Sequence, residues 1–341
     1  MSRSLAPLAF LEKGESTPII DVRSPGEFAH AHIPGAVNIP LFDNNERAQV
    51  GTCYKQVGKQ AAILLGLELV GPKLADFVRQ SQQLAPNNQV LVHCWRGGMR
   101  SGSFAWLLST AGLEVGTLQG GYKAYRGEVL SFFEKPLQLI VLGGKTGSAK
   151  TETLQELRKL GEQVIDLEHF ACHKGSAFGM LGQTSQPSTE QFENNLYEVL
   201  RELDPNRRIW VEDESKAIGT CLIPLSLRQQ MVQAPVLVLQ VPLKQRIAFL
   251  VEHYGRFEHS LLKAALDRIQ KRLGGQHHQA AIVALELGDY AQVAEITLRY
   301  YDKTYEFSLS QRPSTLQRLV EVPSINTHQN AAMLLQALNT Q

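Results

Sequence analysis

The chain has 341 residues, 43% of them apolar and 20% charged, which gives room for two domains and the composition of a soluble globular protein. Its formal net charge of +1 excludes general polyanion binding, so any contact with nucleic acid must rest on a local basic patch. The four cysteines form no CxxC pair, and neither a run of ~18–20 apolar residues nor a signal-peptide pattern occurs; this argues against a zinc framework, a disulfide scaffold, a membrane span and export, and suits a reducing cytoplasm.

In chain order, residues 17–22 and 36–39 predict buried strands, residues 46–69 one helix, and residues 73–84 a second. Val90-Leu91-Val92-His93 predicts a strand that delivers Cys94 into a Gly-containing loop, with Ser101 opening an amphipathic helix that carries Phe104, Leu107 and Leu108. A thiol between a strand end and a helix N-terminus lies in the positive end of the helix dipole, with loop N–H groups aimed at its sulfur. Arg96 and Arg100 add full charge, and such surroundings favour thiolate at neutral pH. Cys94 therefore reads as a nucleophile or group carrier rather than a structural cysteine. A strand over 115–118 ends at Gly120-Gly121, and a helix over 122–133 leads to Pro136. Strands separated by helices predict an α/β domain with a mostly parallel sheet.

After Pro136 the α/β pattern restarts with a strand at 137–142, so the expected domains are residues 1–134 and 137–341. With 13 basic and 11 acidic residues before Pro136 and 21 and 22 after it, neither half is strongly basic. Gly144-Lys145-Thr146-Gly147-Ser148-Ala149-Lys150-Thr151 follows that strand and precedes a helix expected over 152–160, the context of a P-loop. Its N–H groups and Lys150 suit a diphosphate, and the Thr151 hydroxyl suits Mg²⁺. Ala149 stands where the P-loop signature has its second Gly, which restricts φ > 0 and predicts a slightly reshaped loop. A strand over 208–215 ends in Glu212 and Asp213, and another over 163–165 ends in Asp166; these are the candidate carboxylates for a metal or substrate.

Residues 166–179 form a polar, Gly-punctuated segment with the length of a lid or substrate loop, holding His173 and Ser176. Residues 244–272 carry Lys244, Arg246, Arg256, Lys263, Arg268, Lys271 and Arg272 against three acids. Lys263, Arg268, Lys271 and Arg272, on a helix expected over 259–273, are candidate contacts to RNA phosphates; an ordinary solvated face is the alternative. Tyr300, Tyr301 and Tyr305 are candidates for stacking on unpaired bases, with core packing as the more frequent use.

Two resemblances follow from these residues. Asp21-Val22-Arg23-Ser24-Pro25-Gly26-Glu27-Phe28 and His32-Ile33-Pro34-Gly35-Ala36-Val37-Asn38-Ile39-Pro40, taken with Cys94, resemble a rhodanese domain, one that carries sulfur on the loop cysteine. The loop from Cys94 to Arg100 is one residue longer than the usual rhodanese loop and also resembles the His-Cys-x5-Arg-Ser cradle of Cys-dependent phosphatases. Its wider ring of N–H groups admits a phosphate or a chalcogen larger than sulfur, and sequence alone does not choose. The rhodanese half joined to the P-loop half, with the runs 120–126, 175–179, 210–215 and 268–275, resembles the tRNA 2-selenouridine synthase family.

That resemblance implies a rhodanese-like parallel-sheet domain followed by a P-loop NTPase-like α/β domain with a helical extension that binds tRNA. It implies a cytoplasmic transferase acting at the wobble uridine of the tRNA anticodon in two steps. The sulfur of 2-thiouridine is first geranylated from geranyl diphosphate; the S-geranyl group is then replaced by selenium from selenophosphate, with Cys94, Arg96 and Arg100 serving that step. No tightly bound cofactor is implied; Mg²⁺ is the candidate ion and selenophosphate synthetase a candidate partner. The alternative reading is a Cys-dependent phosphatase or sulfurtransferase with a regulatory nucleotide-binding domain, although no obvious general acid follows Arg100.

Overall fold

The computed structural model describes residues 3–85 and 87–339. The chain divides into two compact units, Met1–Phe133 with Glu193–Glu198, and Glu134–Phe192 with Val199–Gln341.

In chain order the first unit holds β1 (Arg3–Leu5), α1 (Pro7–Gly14), β2 (Ile19–Asp21), α2 (Pro25–His30), β3 (Val37–Asn38), α3 (Asn44–Gln56), α4 (Lys59–Val70), α5 (Leu74–Leu84), β4 (Gln89–His93), α6 (Met99–Thr110), β5 (Glu114–Leu118) and α7 (Gly121–Phe132). Among the described residues its sheet has the order β1-β5-β4-β2-β3, and every pair is parallel. Both faces of a parallel sheet are covered, which is why β4 reads as an unbroken apolar run: Val90, Leu91 and Val92 are 0–1% exposed. The single helix expected over 46–69 is two, α3 and α4. Gly58, with φ of 131°, breaks it in a conformation closed to other residues, and the Asp43–Glu46 capping box starts α3 at Asn44. The helix expected from Ser101 starts at Met99, which places Arg100 and Ser101 in its first turn.

The second unit continues with β6 (Leu139–Gly144), α8 (Lys150–Lys159), β7 (Gln163–Ile165), α9 (Leu167–Ala171), α10 (Thr189–Leu200, whose Glu193–Glu198 count with the first unit), β8 (Ile209–Glu212), β9 (Ala217–Ile218), β10 (Cys221–Leu222), α11 (Leu225–Gln233), β11 (Val236–Gln240), α12 (Leu243–Tyr254), α13 (His259–Leu273), α14 (Gly275–Glu286), α15 (Tyr290–Ser310), β12 (Gln317–Glu321) and α16 (Thr327–Asn339). Its main sheet runs β12-β11-β6-β8-β7, all parallel among the described residues. Helices α13–α15 build a separate apolar core from Leu262, Leu266, Ile269, Ile282, Leu285 and Ile296. The segment from Asp166 is not all loop: Asp166 caps α9 by accepting the His169 N–H at 2.8 Å, and the open stretch begins at Cys172. Among the described residues no helix is long and apolar enough to cross a membrane.

Candidate functional site

β4 carries Cys94 out at the carboxyl edge of the first sheet, where the chain turns into α6. This turn lies backbone against backbone on the start of α7. The Tyr122 N–H donates to Cys94 O at 2.9 Å and the Lys123 N–H to Trp95 O at 3.0 Å. Gly97 and Gly121 permit the approach, with φ of 64° and 63°; a Cβ on Gly121 would collide with Gly97 N and Cys94 O. Cys94 is 3% exposed and its Sγ lies 3.2 Å from Ser101 Oγ. Burial alone would push this thiol up. Hydrogen bonds from the Ser101 hydroxyl, the Ser101 and Arg96 N–H groups, and the Arg100 charge outweigh it and hold the thiol below its ordinary value.

The two arginines act differently. Arg96 reaches the sulfur through its backbone while its side chain is exposed; Arg100 is half-buried and donates to Glu27 at 3.0 Å. Glu27 is fixed in turn by the capping box it forms with Ser24 at the start of α2. Beneath the loop, buried Arg23 forks onto Asp21 at 2.6–3.0 Å and lies 3.9 Å over the Tyr122 ring. His93 is fully buried with its Nε2 3.6 Å from Asp21, and burial pushes it down to about 4, so the ring is neutral at physiological pH.

The second site lies where β6 turns into α8. Ala149 adopts the left-handed conformation, φ 54° and ψ 43°, so the loop keeps the shape a glycine would give it at a cost of ~1 kcal/mol or more. Lys150 Nζ donates to Gly144 O at 3.0 Å, and the Thr151 hydroxyl donates to Glu212 at 2.8 Å. Glu168, two residues beyond Asp166, stands 3.2 Å from the same hydroxyl, and its N–H donates to Glu212 at 3.2 Å. Burial and the Glu214 carboxylate push Glu168 up to about 8 against the pull of Lys150; burial and Glu212 push Glu214 up to about 8. Glu212 is raised well above the carboxylate range by burial and by Glu168.

Of the other expected carboxylates, Asp166 caps α9 and accepts from Gln155 at 3.0 Å, while Asp213 is held by buried Arg312 at 2.6 Å. Glu168 and Glu214 escaped the sequence reading, because nothing in residue spacing shows that α9 lays its first turn on Thr151. Tyr305, a candidate for base stacking from the sequence, is instead packed against the P-loop. Its hydroxyl accepts the Gly144 N–H at 2.8 Å and donates to Asp213, so it props the loop from a helix 161 residues away. Lys145 pairs with Glu306 at 2.6 Å. Arg246, counted above within the basic run, is buried instead: it forks onto Asp302 at 2.7 and 2.8 Å and donates to Thr146 O at 3.1 Å.

The P-loop, the 173–179 segment and the basic helix meet. Tyr301 accepts the Ala177 N–H at 3.1 Å, Arg268 donates to Ala177 O at 3.2 Å, and Arg272 donates to Tyr300 at 3.4 Å. Ser176 bonds the Phe178 N–H at 3.2 Å and contacts the Tyr254 and Tyr301 hydroxyls. His173 is buried, with burial and the Arg268 charge holding it below its ordinary value. One cavity of about 1140 Å³ is lined by Thr146–Thr151, Glu168, Glu214, Ser176, Arg268, Lys271 and Arg272, together with apolar side chains of α12, α13 and α15. His173 and Lys263 are not among its lining residues; Lys263 is exposed on α13.

A rhodanese-like unit with an acidified loop thiol, joined in one chain to a P-loop unit, is the class that this fold and these sites define. Residues 8–128 match the rhodanese-like domain family, and residues 137–328 match the family described as the tRNA 2-selenouridine synthase AAA domain. The chain is 36% identical over 337 residues to tRNA 2-selenouridine synthase of Pseudomonas fluorescens (strain Pf0-1), covering 88% of this chain and 90% of that protein. It is 36% identical over 341 residues to the protein of that name from Bordetella petrii, covering 89% of each, and 34% identical over 336 residues to that of Sulfurovum sp. (strain NBC37-1), covering 88% and 91%. The chain belongs to the tRNA 2-selenouridine synthase family.

Proposed function

We propose that this protein is a cytoplasmic enzyme that converts the wobble 2-thiouridine of tRNA to 2-selenouridine through an S-geranyl intermediate. The observation that carries the first step is the composition of the second unit's cavity. Its lining combines the P-loop with Lys150, apolar side chains such as Leu250, Leu262 and Leu298, and the cations Arg268, Lys271 and Arg272. A prenyl diphosphate and a nucleotide of an RNA need these three kinds of group.

In that step the thiocarbonyl sulfur attacks C1 of geranyl diphosphate, the C1–O bond breaks, diphosphate leaves with the electron pair, and the base gives up its N3 proton to solvent. Lys150 and the N–H groups of residues 146–151 stabilise the leaving charge. The Thr151 hydroxyl and the Glu212 carboxyl, oxygen donors held 2.8 Å apart, suit Mg²⁺, which when bound would neutralise diphosphate charge. Burial favours the protonated forms of Glu168, Glu212 and Glu214, which limits the negative charge opposing the diphosphate, and Mg²⁺ binding at Glu212 would displace its proton.

In the second step selenium from selenophosphate replaces the S-geranyl group. The Cys94 cradle, with N–H donors and Arg100 about a low thiol, suits a selenide or selenophosphate anion, and Cys94 takes part directly by holding that anion beside the base without changing the oxidation level of selenium. Selenophosphate synthetase is the proposed supplier. Nucleoside mass spectrometry of tRNA from cells with and without this protein tests the reading: selenouridine and geranylthiouridine should both vanish with it, and persistence of both would overturn it.

A further inference from the structure

The mouth of the Cys94 cradle carries apolar surface that the fold does not use. The inner face of α6 is core: Phe104, Ala105 and Leu108 are 0–1% exposed. On its outer face Met99 is 60% and Trp106 68% exposed, and Trp95, the neighbour of Cys94, is 36% exposed. Met99 and Trp106 are seven residues apart, so they share a helix face and stand about 10 Å apart along the axis. Gly102 falls between them on that face, with open space where a side chain would stand. The result is an exposed apolar strip along the first two turns of α6, bare of side chain at Gly102 and ending at an indole, with Trp95 in the loop ahead of it resting against Tyr122. Arg96 and Lys123, both exposed, flank its start with positive charge.

We propose that this strip, Met99, Gly102 and Trp106 of α6 with Trp95 of the preceding loop, receives the geranyl chain of the S-geranyl tRNA in the selenium step. The inference rests on the second step proposed above. The occupant must be apolar, about as long as the strip, attached to an anionic polymer, and must present its reacting atom at Cys94. A geranyl thioether on a wobble base meets all four conditions. Selenophosphate selenium attacks C2 of the base, the C2–S bond breaks and geranylthiolate leaves with the electron pair; water then cleaves the Se–P bond, releasing phosphate and leaving selenium on C2. The strip holds that leaving group. It also makes the step selective, because an ungeranylated 2-thiouridine has nothing to lay along it.

The test uses the full chain and anticodon stem-loop RNAs bearing S-geranyl-2-thiouridine or S-methyl-2-thiouridine at the wobble position. Wild type should bind the S-geranyl RNA about tenfold more tightly, a preference of about 1.4 kcal/mol. Met99→Gln with Trp106→Gln, at positions exposed enough to spare the fold, should erase most of that preference while leaving S-methyl affinity within about twofold. A preference unchanged in the double variant, or absent in wild type, overturns the proposal. Conversion of pre-geranylated tRNA to selenouridine by wild type is read in parallel. Conversion with an unchanged preference in the variant sinks the strip alone. A preference lost in the variant without any conversion supports the strip and refutes the selenium step.

Discussion

The two loops share a plan and differ in charge. Each leaves the carboxyl end of a central parallel strand and enters a helix, β4 to α6 in one and β6 to α8 in the other. Around Cys94 the surroundings are donors and a cation, and they hold an acidic group down. Around Lys150 the surroundings are carboxyl groups that burial pushes up to about 8 or beyond. The supports differ too: the Cys94 turn leans on the Gly120–Gly121 backbone, whereas the P-loop is pinned by side chains, Tyr305 and Arg246, from distant helices. A strand–loop–helix frame thus supplies N–H groups in both places, and what surrounds it decides whether the site keeps an anion or waits to receive one.

The largest expected effect separates the two loops. Cys94→Ala should abolish selenouridine while geranylthiouridine still forms, and Lys150→Ala should block geranylation yet convert pre-geranylated tRNA normally. Nucleoside mass spectrometry reads both, and identical defects in the two variants would merge the sites. Next in size is Gly121→Ala, which drives a methyl group into the backbone of Gly97 and Cys94; it should destabilise the protein by at least ~2 kcal/mol in denaturant unfolding and return the Cys94 thiol toward ordinary alkylation kinetics.

The units should also differ in pH response. Glu168 and Glu214 titrate near 8 in the folded chain against an ordinary 4.5, so the folded state holds more protons, and the stability they contribute is lost as pH rises from 4.5 through about 8. His93 is pushed from 6.5 to about 4, so its contribution is lost as pH falls through that window. Melting temperature against pH should decline on both sides, and Glu168→Gln should flatten only the alkaline limb. An alkaline limb of wild-type slope in that variant would mean Glu168 is ionised in the fold. The smallest effect expected is Ala149→Gly, which relieves a left-handed alanine and should stabilise the protein by about 1 kcal/mol without changing geranylation.

Both loops were legible because each depends on local signals: an apolar strand, a short run of Gly and charge, and an amphipathic helix. The α13 helix was read to its ends, His259–Leu273, for the same reason. Gly58 shows where local reading stops, since helical periodicity on both sides of it hides the break that its φ of 131° makes. The long-range contacts that assemble the P-loop site were beyond the reach of local reading. Glu168 on Thr151, Tyr305 on Gly144 and Arg246 on Asp302 are contacts between elements 17, 161 and 56 residues apart, and only the fold brings them together. The same holds for Arg268 and Arg272, whose basic character is plain in the chain but whose place on the wall of the P-loop cavity is not.

The depth of Cys94 has a kinetic consequence. With 3% of its surface open, Cys94 should react far more slowly with bulky disulfides such as oxidised glutathione than with small reagents. The same burial that lowers exposure of the sulfur should shelter any anion held beside it from the cellular thiol pool.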